Sequence, residues 1–190
     1  AHEYYVPTEN DILMAEDRRA GIREYRITQG SLFVKLYKVP GHSFSNMKKW
    51  IHCFQNVTCV VYFVDLASYD QVYLINYKNK LLASLEFFRS LINSHWFTRS
   101  SVILFLSNVD NFRRKLKHDR LSNYFPDYTG LNDVNSTSTY VIEKFTSQNW
   151  KHLAIYPLVS EASDYVNIRL FLVHVRESIQ QRHLMNTGII

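Results

Sequence analysis

Residues 31–37 (SLFVKLY) read as a strand, and three further stretches are apolar almost throughout: 58–64 (TCVVYFV), 101–106 (SVILFL) and 152–156 (HLAIY). They are rich in β-branched and aromatic residues and do not alternate with polar ones. Continuous runs of this kind suit strands covered on both faces. Between them the period changes. Leu81, Leu85, Phe88 and Ile92 are spaced four, three and four apart, which puts them on one face of a helix. Ile168, Phe171, Leu172, Val175 and Ile179 repeat the pattern near the C-terminus, where Asp164 or Asn167 is placed to cap a helix. Strands alternating with helices predict an α/β domain with a mostly parallel sheet and helices on both faces. In such sheets ligands bind at the carboxyl ends of the strands. Those ends fall at residues 37–42, 65–70, 107–110 and 159–164.

Composition narrows this picture without changing it. The chain has 190 residues, 46% of them hydrophobic and 21% charged, which fits one globular domain. No apolar run reaches the roughly 18 residues that a membrane helix needs. No signal-peptide pattern opens the chain, so the two cysteines, Cys53 and Cys59, read as free thiols of a reducing compartment. The net charge of +5 permits an anionic partner. The densest basic run, Arg113-Arg114-Lys115-Leu116-Lys117-His118, reads as a single exposed helix. It comes with no nucleic-acid-binding motif, so no nucleic-acid partner is expected. The eight histidines form no H-x-x-x-H or H-E-x-x-H pattern, which argues against a zinc site.

At the strand ends the sequence becomes specific. Lys48-Lys49-Trp50-Ile51-His52-Cys53-Phe54 resembles the switch II helix of heterotrimeric G-protein α subunits. Tyr5-Val6-Pro7-Thr8 with Asp11-Ile12-Leu13, Gly21-Ile22, Trp96-Phe97-Thr98 and Ile103-Leu104-Phe105-Leu106 before Asp110 fit the same family. So does Phe125-Pro126-Asp127-Tyr128-Thr129-Gly130, and Gly188-Ile189-Ile190 resembles a fungal α-subunit tail. The matches run in consistent order from about residue 4 to residue 190. The resemblance implies a Ras-like P-loop GTPase domain that binds GTP or GDP with Mg2+. It also implies a βγ dimer and a G protein-coupled, seven-helix receptor as partners. The implied location is cytoplasmic, at the inner face of the plasma membrane, with membrane contact only peripheral and through those partners.

Glycines stand at 21, 30, 41, 130 and 188, and no G-x-x-x-x-G-K-[ST] can be drawn among them. The resemblance therefore implies that residues 1–190 are a partial Ras-like domain, the C-terminal half of an α subunit. It lacks the first strand, the P-loop and the inserted helical domain. In the family that first strand lies between the strands matched by residues 31–37 and 58–64. Without it both neighbours keep an open apolar edge, and the 190 residues alone are not expected to form a stable monomer.

Several pocket positions depart from the family pattern. Glu16 stands at the catalytic arginine, a residue worth about 10³–10⁵ in rate, a magnitude known for the family itself. Ala20 stands at the magnesium-binding threonine and offers no oxygen to a hard cation. The D-x-G-G-Q stretch becomes Lys38-Val39-Pro40-Gly41-His42. Gly41 keeps the amide that meets the γ-phosphate, Lys38 replaces an acid, and His42 takes the place of the water-orienting glutamine. The guanine-reading N-K-x-D becomes Ser107-Asn108-Val109-Asp110, and T-C-A-T becomes Ser160-Glu161-Ala162-Ser163. Asp110 retains an acceptor for guanine N1–H and N2–H, and Ala162 a backbone N–H for O6. Lys48, Lys49, Trp50 and His52 match the surface that meets βγ and effectors. Ile189 and Ile190 match the tail that docks a receptor, and Thr187 replaces the toxin-modified cysteine. The implied function is an α-subunit-like signal transducer with impaired GTP binding and hydrolysis. The alternatives are a non-catalytic partner-binding scaffold and a decaying gene product.

Overall fold

A computed structural model describes residues 6, 8, 21–29, 32–39, 51–54, 57–160, 173, 175–177 and 180. The chain divides into two compact units, residues 1–48 and 49–190.

In the first unit β1 (Arg23–Gln29) pairs antiparallel with β2 (Leu32–Lys38), from Arg23 opposite Lys38 to Gln29 opposite Leu32. Two residues separate the strands. That suits a hairpin and rules out the crossover a parallel pair needs. The pairs Tyr25–Leu36 and Ile27–Val34 share one face, and Glu24–Tyr37 and Arg26–Lys35 share the other. β2 lies where the sequence reading put a strand, but Phe33, Leu36 and Tyr37 are exposed, so it is not covered on both faces. β1 is an additional strand, and its antiparallel pairing departs from the expected parallel arrangement.

The second unit holds a parallel sheet in the order β3 (Cys59–Asp65), β4 (Ser101–Ser107), β5 (Ile155–Val159). β3 and β4 lie where the sequence put them. The central strand is sealed: Val102, Ile103, Leu104 and Leu106 have no exposure at all. β3 buries Tyr62 and Val64, while Phe63 on the opposite face stays 60% exposed. β5 begins later than the apolar run suggested. His152 is left-handed (φ 54°), and the Asn149 side chain brackets the Leu153 backbone, accepting from its N–H at 3.0 Å and donating to its carbonyl at 2.8 Å. Residues 152–154 therefore form a loop. Pro157 is accommodated because β5 pairs only with β4 among the described residues.

α1 (Lys80–Ile92) buries Leu81, Phe88 and Ile92 as its spacing predicted. Its N-cap, Asn79, accepts from the N–H groups of Leu81 and Leu82 at 2.9 and 3.1 Å. α2 (Val109–Leu116) begins before the basic run, and burial of Val109, Phe112 and Leu116 gives it a core face. α3 (Val134–Thr146) is capped by Asp133, which accepts from Ser136 N–H at 2.8 Å. Tyr62, Phe88 and Phe145 meet edge-on or tilted, with centroids 4.9–6.3 Å apart, and join β3, α1 and α3. The Tyr62 hydroxyl donates to the Ser84 carbonyl at 2.8 Å. Ahead of α3, the Phe125-to-Gly130 motif folds tightly. A Cβ on Gly130 would lie 2.7 Å from the Tyr128 hydroxyl, so any side chain there requires the Tyr128 ring to shift.

Near the C-terminus Val173, Val175, Arg176, Glu177 and Gln180 are helical, as expected. Both proposed caps, Asp164 and Asn167, and the tail from 186 to 190 lie outside the described residues. Cys59 is half-buried, and the Cys53 side chain lies outside the described set.

Candidate functional site

Because β3, β4 and β5 run parallel, their carboxyl ends emerge at one edge. Asp65 pairs with Ser107 in register, and Leu106 pairs with Val159. After β5, Ser160 is buried and its N–H donates to the Leu106 carbonyl at 3.0 Å. The Ser107 hydroxyl turns back along the sheet and donates to the Val64 carbonyl at 3.2 Å.

Asn108 follows in the left-handed region (φ 63°, ψ 36°), where asparagine is tolerated better than most residues. Its amide donates to Asp65 Oδ1 at 2.9 Å, and its Oδ1 accepts from Asn111 Nδ2 at 2.6 Å. Its carbonyl accepts the Phe112 N–H at 3.0 Å and starts α2. Asp65 does double duty, because the same Oδ1 accepts from Ala67 N–H at 3.0 Å and caps the 3₁₀ turn Leu66–Ser68. Asp110 opens α2 where a helix favours an acid. Its carboxylate is about two-thirds exposed and ion-pairs with Arg113 one turn on.

Ser107, Asn108 and Asp110 are thus brought together, next to Ser160. Asp65 joins them. The sequence reading flagged its strand end but not the residue, which lies 43 positions from Asn108. The available signal was an acid closing an otherwise apolar strand. Lys38 ends β2 in the other unit and faces solvent. Glu16, Ala20, Gly41, His42, Lys48, Lys49, Trp50, Ala162, Ile189 and Ile190 lie outside the described residues. The backbone of His52 belongs to the 3₁₀ turn Ile51–Phe54, whose Ile51 and Phe54 are buried.

On the flank of α2, Asp70, Asn111, Arg114, Lys115, His118 and Asp119 line an open cleft of about 410 Å³. Lys115 Nζ donates to the Ala67 carbonyl at 2.8 Å and to Asp70 Oδ1 at 2.6 Å, tying α2 to the turn after β3. Bonds from the Tyr124 hydroxyl and the Asn123 amide hold the Asp119 carboxyl below the usual carboxylate range.

The G-protein alpha subunit family matches residues 1–179. The chain belongs to this family. It is 44% identical over 189 residues to the guanine nucleotide-binding protein alpha-3 subunit of Neurospora crassa, covering 99% of this chain and 53% of that protein. It is 44% identical over 187 residues to the alpha-3 subunit of Mycosarcoma maydis, covering 98% and 52%. The alpha-2 subunit of Saccharomyces cerevisiae is 41% identical over 188 residues, covering 98% and 42%. The chain therefore spans about half the length of the curated relatives it matches. The parallel three-stranded sheet with its flanking helices agrees with a fragment of a Ras-like α-subunit domain.

Among the described residues no group of three His, Cys, Asp or Glu side chains converges on a metal-sized site.

Proposed function

We propose that this α-subunit homologue acts as a signal transducer between a seven-helix receptor, a βγ dimer and effectors, with impaired guanine nucleotide binding and hydrolysis. The observation that carries the impairment is the state of the guanine-reading edge. The Ser107 hydroxyl is engaged by the Val64 carbonyl, Asn108 by Asp65 and Asn111, and Asp110 by Arg113. A base arriving there competes with internal partners. Losing one hydrogen bond to a buried base costs about 1–3 kcal/mol, or roughly 5–150-fold in affinity. Glu16 in place of the arginine and Ala20 in place of the metal-binding threonine weigh further against turnover. Lys38, Gly41, His42 and Ala162 complete the proposed remnant of the nucleotide site. Work in the cell would be at the inner face of the plasma membrane.

A second reading, a scaffold that holds partners without nucleotide, is favoured by the same internal bonds. One titration separates the two. GDP and a slowly hydrolysed GTP analogue are titrated with Mg2+ into the purified protein, beside the Neurospora crassa relative. Impaired transduction predicts binding at least about tenfold weaker than the relative's. It also predicts that Asp110→Asn shifts preference toward xanthosine diphosphate, since the amide donates where the carboxylate accepted. No binding of either nucleotide leaves the scaffold reading. Affinity and turnover equal to the relative's refute both. Partner contact is tested by Trp50→Ala, expected to weaken βγ capture, and by Ile189→Asp with Ile190→Asp, expected to abolish receptor coupling.

A further inference from the structure

At the start of α2 four side chains form a hydrogen-bonded chain with a charge at each end. The Arg114 guanidinium donates to Asn111 Oδ1, Asn111 Nδ2 donates to Asn108 Oδ1 at 2.6 Å, and Asn108 Nδ2 donates to Asp65 Oδ1 at 2.9 Å. A guanidinium can only donate, and an ionised carboxylate can only accept. The two ends therefore dictate which way both amides point, and every bond runs from Arg114 toward Asp65. Bonds aligned in this way polarise one another, and the two terminal bonds are charge-assisted.

Asn108 gives up another role to take part. Asparagine at a helix N-cap ordinarily accepts from an N–H of the first turn. Asn108 holds that position for α2 without making such a bond; its backbone is left-handed (φ 63°), and its side chain is spent on Asp65 and Asn111. Asn108, Asn111 and Arg114 are spaced three apart and follow one face of α2. Asp65 comes from another strand and meets them because β3 and β4 end level. It is also fixed from its own side, since the same Oδ1 accepts from Ala67 N–H at 3.0 Å. The carboxylate is thus the anchor that ties the chain on α2 to the end of β3.

We infer, building on the proposed reading of Ser107 to Asp110 as the guanine-reading edge, that Asp65 is a positioning residue for that edge: through Asn108 it latches the start of α2 in a form that a guanine base must break in order to bind. The weakened reading of guanine is then set in part by a carboxylate on a neighbouring strand and not by the base-reading positions alone. Released from Asp65, Asn108 is free to turn toward the base, and cutting the chain at its far end, at Arg114, loosens the same latch.

The test is an equilibrium titration of GDP carrying a ribose fluorophore, with Mg2+, into the full chain and into Asp65→Ser, Asp65→Asn, Arg114→Met and the Asp65→Ser, Arg114→Met double variant. Serine still caps the turn after β3 but is too short to reach Asn108. Asp65→Ser should bind GDP at least about tenfold tighter than the unsubstituted chain. Asp65→Asn, which keeps the acceptor without the charge, should fall between the two. Arg114→Met should tighten binding in the same direction but by less. The double variant should gain no more than Asp65→Ser alone, because both substitutions cut one chain. Urea midpoints are read beside each titration. A merely structural role for Asp65 would lower the midpoint and leave GDP binding unchanged or weaker, and that result overturns the latch. So does an Arg114→Met gain that adds in full to that of Asp65→Ser, and so does a failure of all five proteins to bind GDP. Binding by the unsubstituted chain as tight as that of the Neurospora crassa relative refutes the impaired-transducer reading instead, so the two failures are told apart by which protein shows them.

Discussion

Lys115 is the side chain that locks α2 to the turn after β3, and Lys115→Met tests that lock. Its ammonium bonds the Ala67 carbonyl at 2.8 Å and Asp70 at 2.6 Å, and the two side chains are 32% and 20% exposed. Methionine keeps the stem and its packing but removes the charge and the donors. An exposed pair would contribute about 0–1 kcal/mol, and breaking a fully buried one would cost about 3–5 kcal/mol. At this intermediate burial, with a backbone carbonyl also losing its donor, the expected loss is about 1.5–2.5 kcal/mol. That corresponds to roughly 3–10 °C in melting temperature for a chain of this size. The assay is urea denaturation of Lys115→Met, Asp70→Asn and the double variant. The cycle should return a coupling of about 1 kcal/mol. Hydrogen exchange at the Ala67 and Ser68 amides should accelerate, because the turn they occupy loses its tie to α2. A Lys115→Met loss below about 0.5 kcal/mol, or a coupling within the roughly 0.3 kcal/mol error of additivity, would refute the lock.

Tyr62→Phe removes only the hydroxyl that donates to Ser84. A loss of about 1 kcal/mol in urea titration is expected, and no loss would mean the bond to α1 is idle. Asn79→Ala removes the α1 cap and the bond to Tyr69 at once, so about 1–2 kcal/mol should go, with faster proteolytic nicking at residues 73–78. Acid should also destabilise the second unit. The carboxyls of Asp119 (Tyr124, then Asn123), Asp127 (Lys144, then Tyr140) and Asp133 (the Ser136 amide) all sit below their ordinary range in the folded chain. A depressed folded value means the unfolded chain takes up protons first. Their stabilisation is complete above the unfolded range near pH 4 and is lost as pH falls through the depressed values. Urea midpoints should hold from pH 7 to about 5 and fall below about 4; a flat profile down to pH 3 would contradict this.

Elements written as unbroken apolar runs or a clean apolar stripe were legible in the chain, although β3 is covered on one face only and leaves Phe63 60% exposed, and elements held by caps and tertiary burial were not. β3 and β4 are unbroken apolar runs, and α1 carries a clean apolar stripe. β1, Arg-Glu-Tyr-Arg-Ile-Thr-Gln, alternates instead, with only Tyr25 and Ile27 aligned on its apolar face. α3 opens Val-Asn-Ser-Thr-Ser-Thr, a run of weak helix formers. What holds it is the Asp133 cap and the burial of Val141 and Phe145, and neither shows as a periodic signal. α2 read as an exposed basic helix because its arginines and lysines mask Phe112 and Leu116, both buried. At the candidate site the resemblance located Ser107, Asn108 and Asp110, but their partners are set by rotamer and by register between strands. Asp65 meets Asn108 only because β3 and β4 end level.

The polar side chains at that edge also satisfy one another, whereas a buried donor or acceptor left unpaired costs about 1–3 kcal/mol. Here Ser107 finds the Val64 carbonyl, and Asn108 bridges Asp65 and Asn111. Asp110 rests against Arg113. Among the described residues no buried side-chain nitrogen or oxygen lacks a partner. The edge therefore holds itself together without a ligand, and the parallel sheet, the capped helices and the aromatic core do not depend on one being bound there.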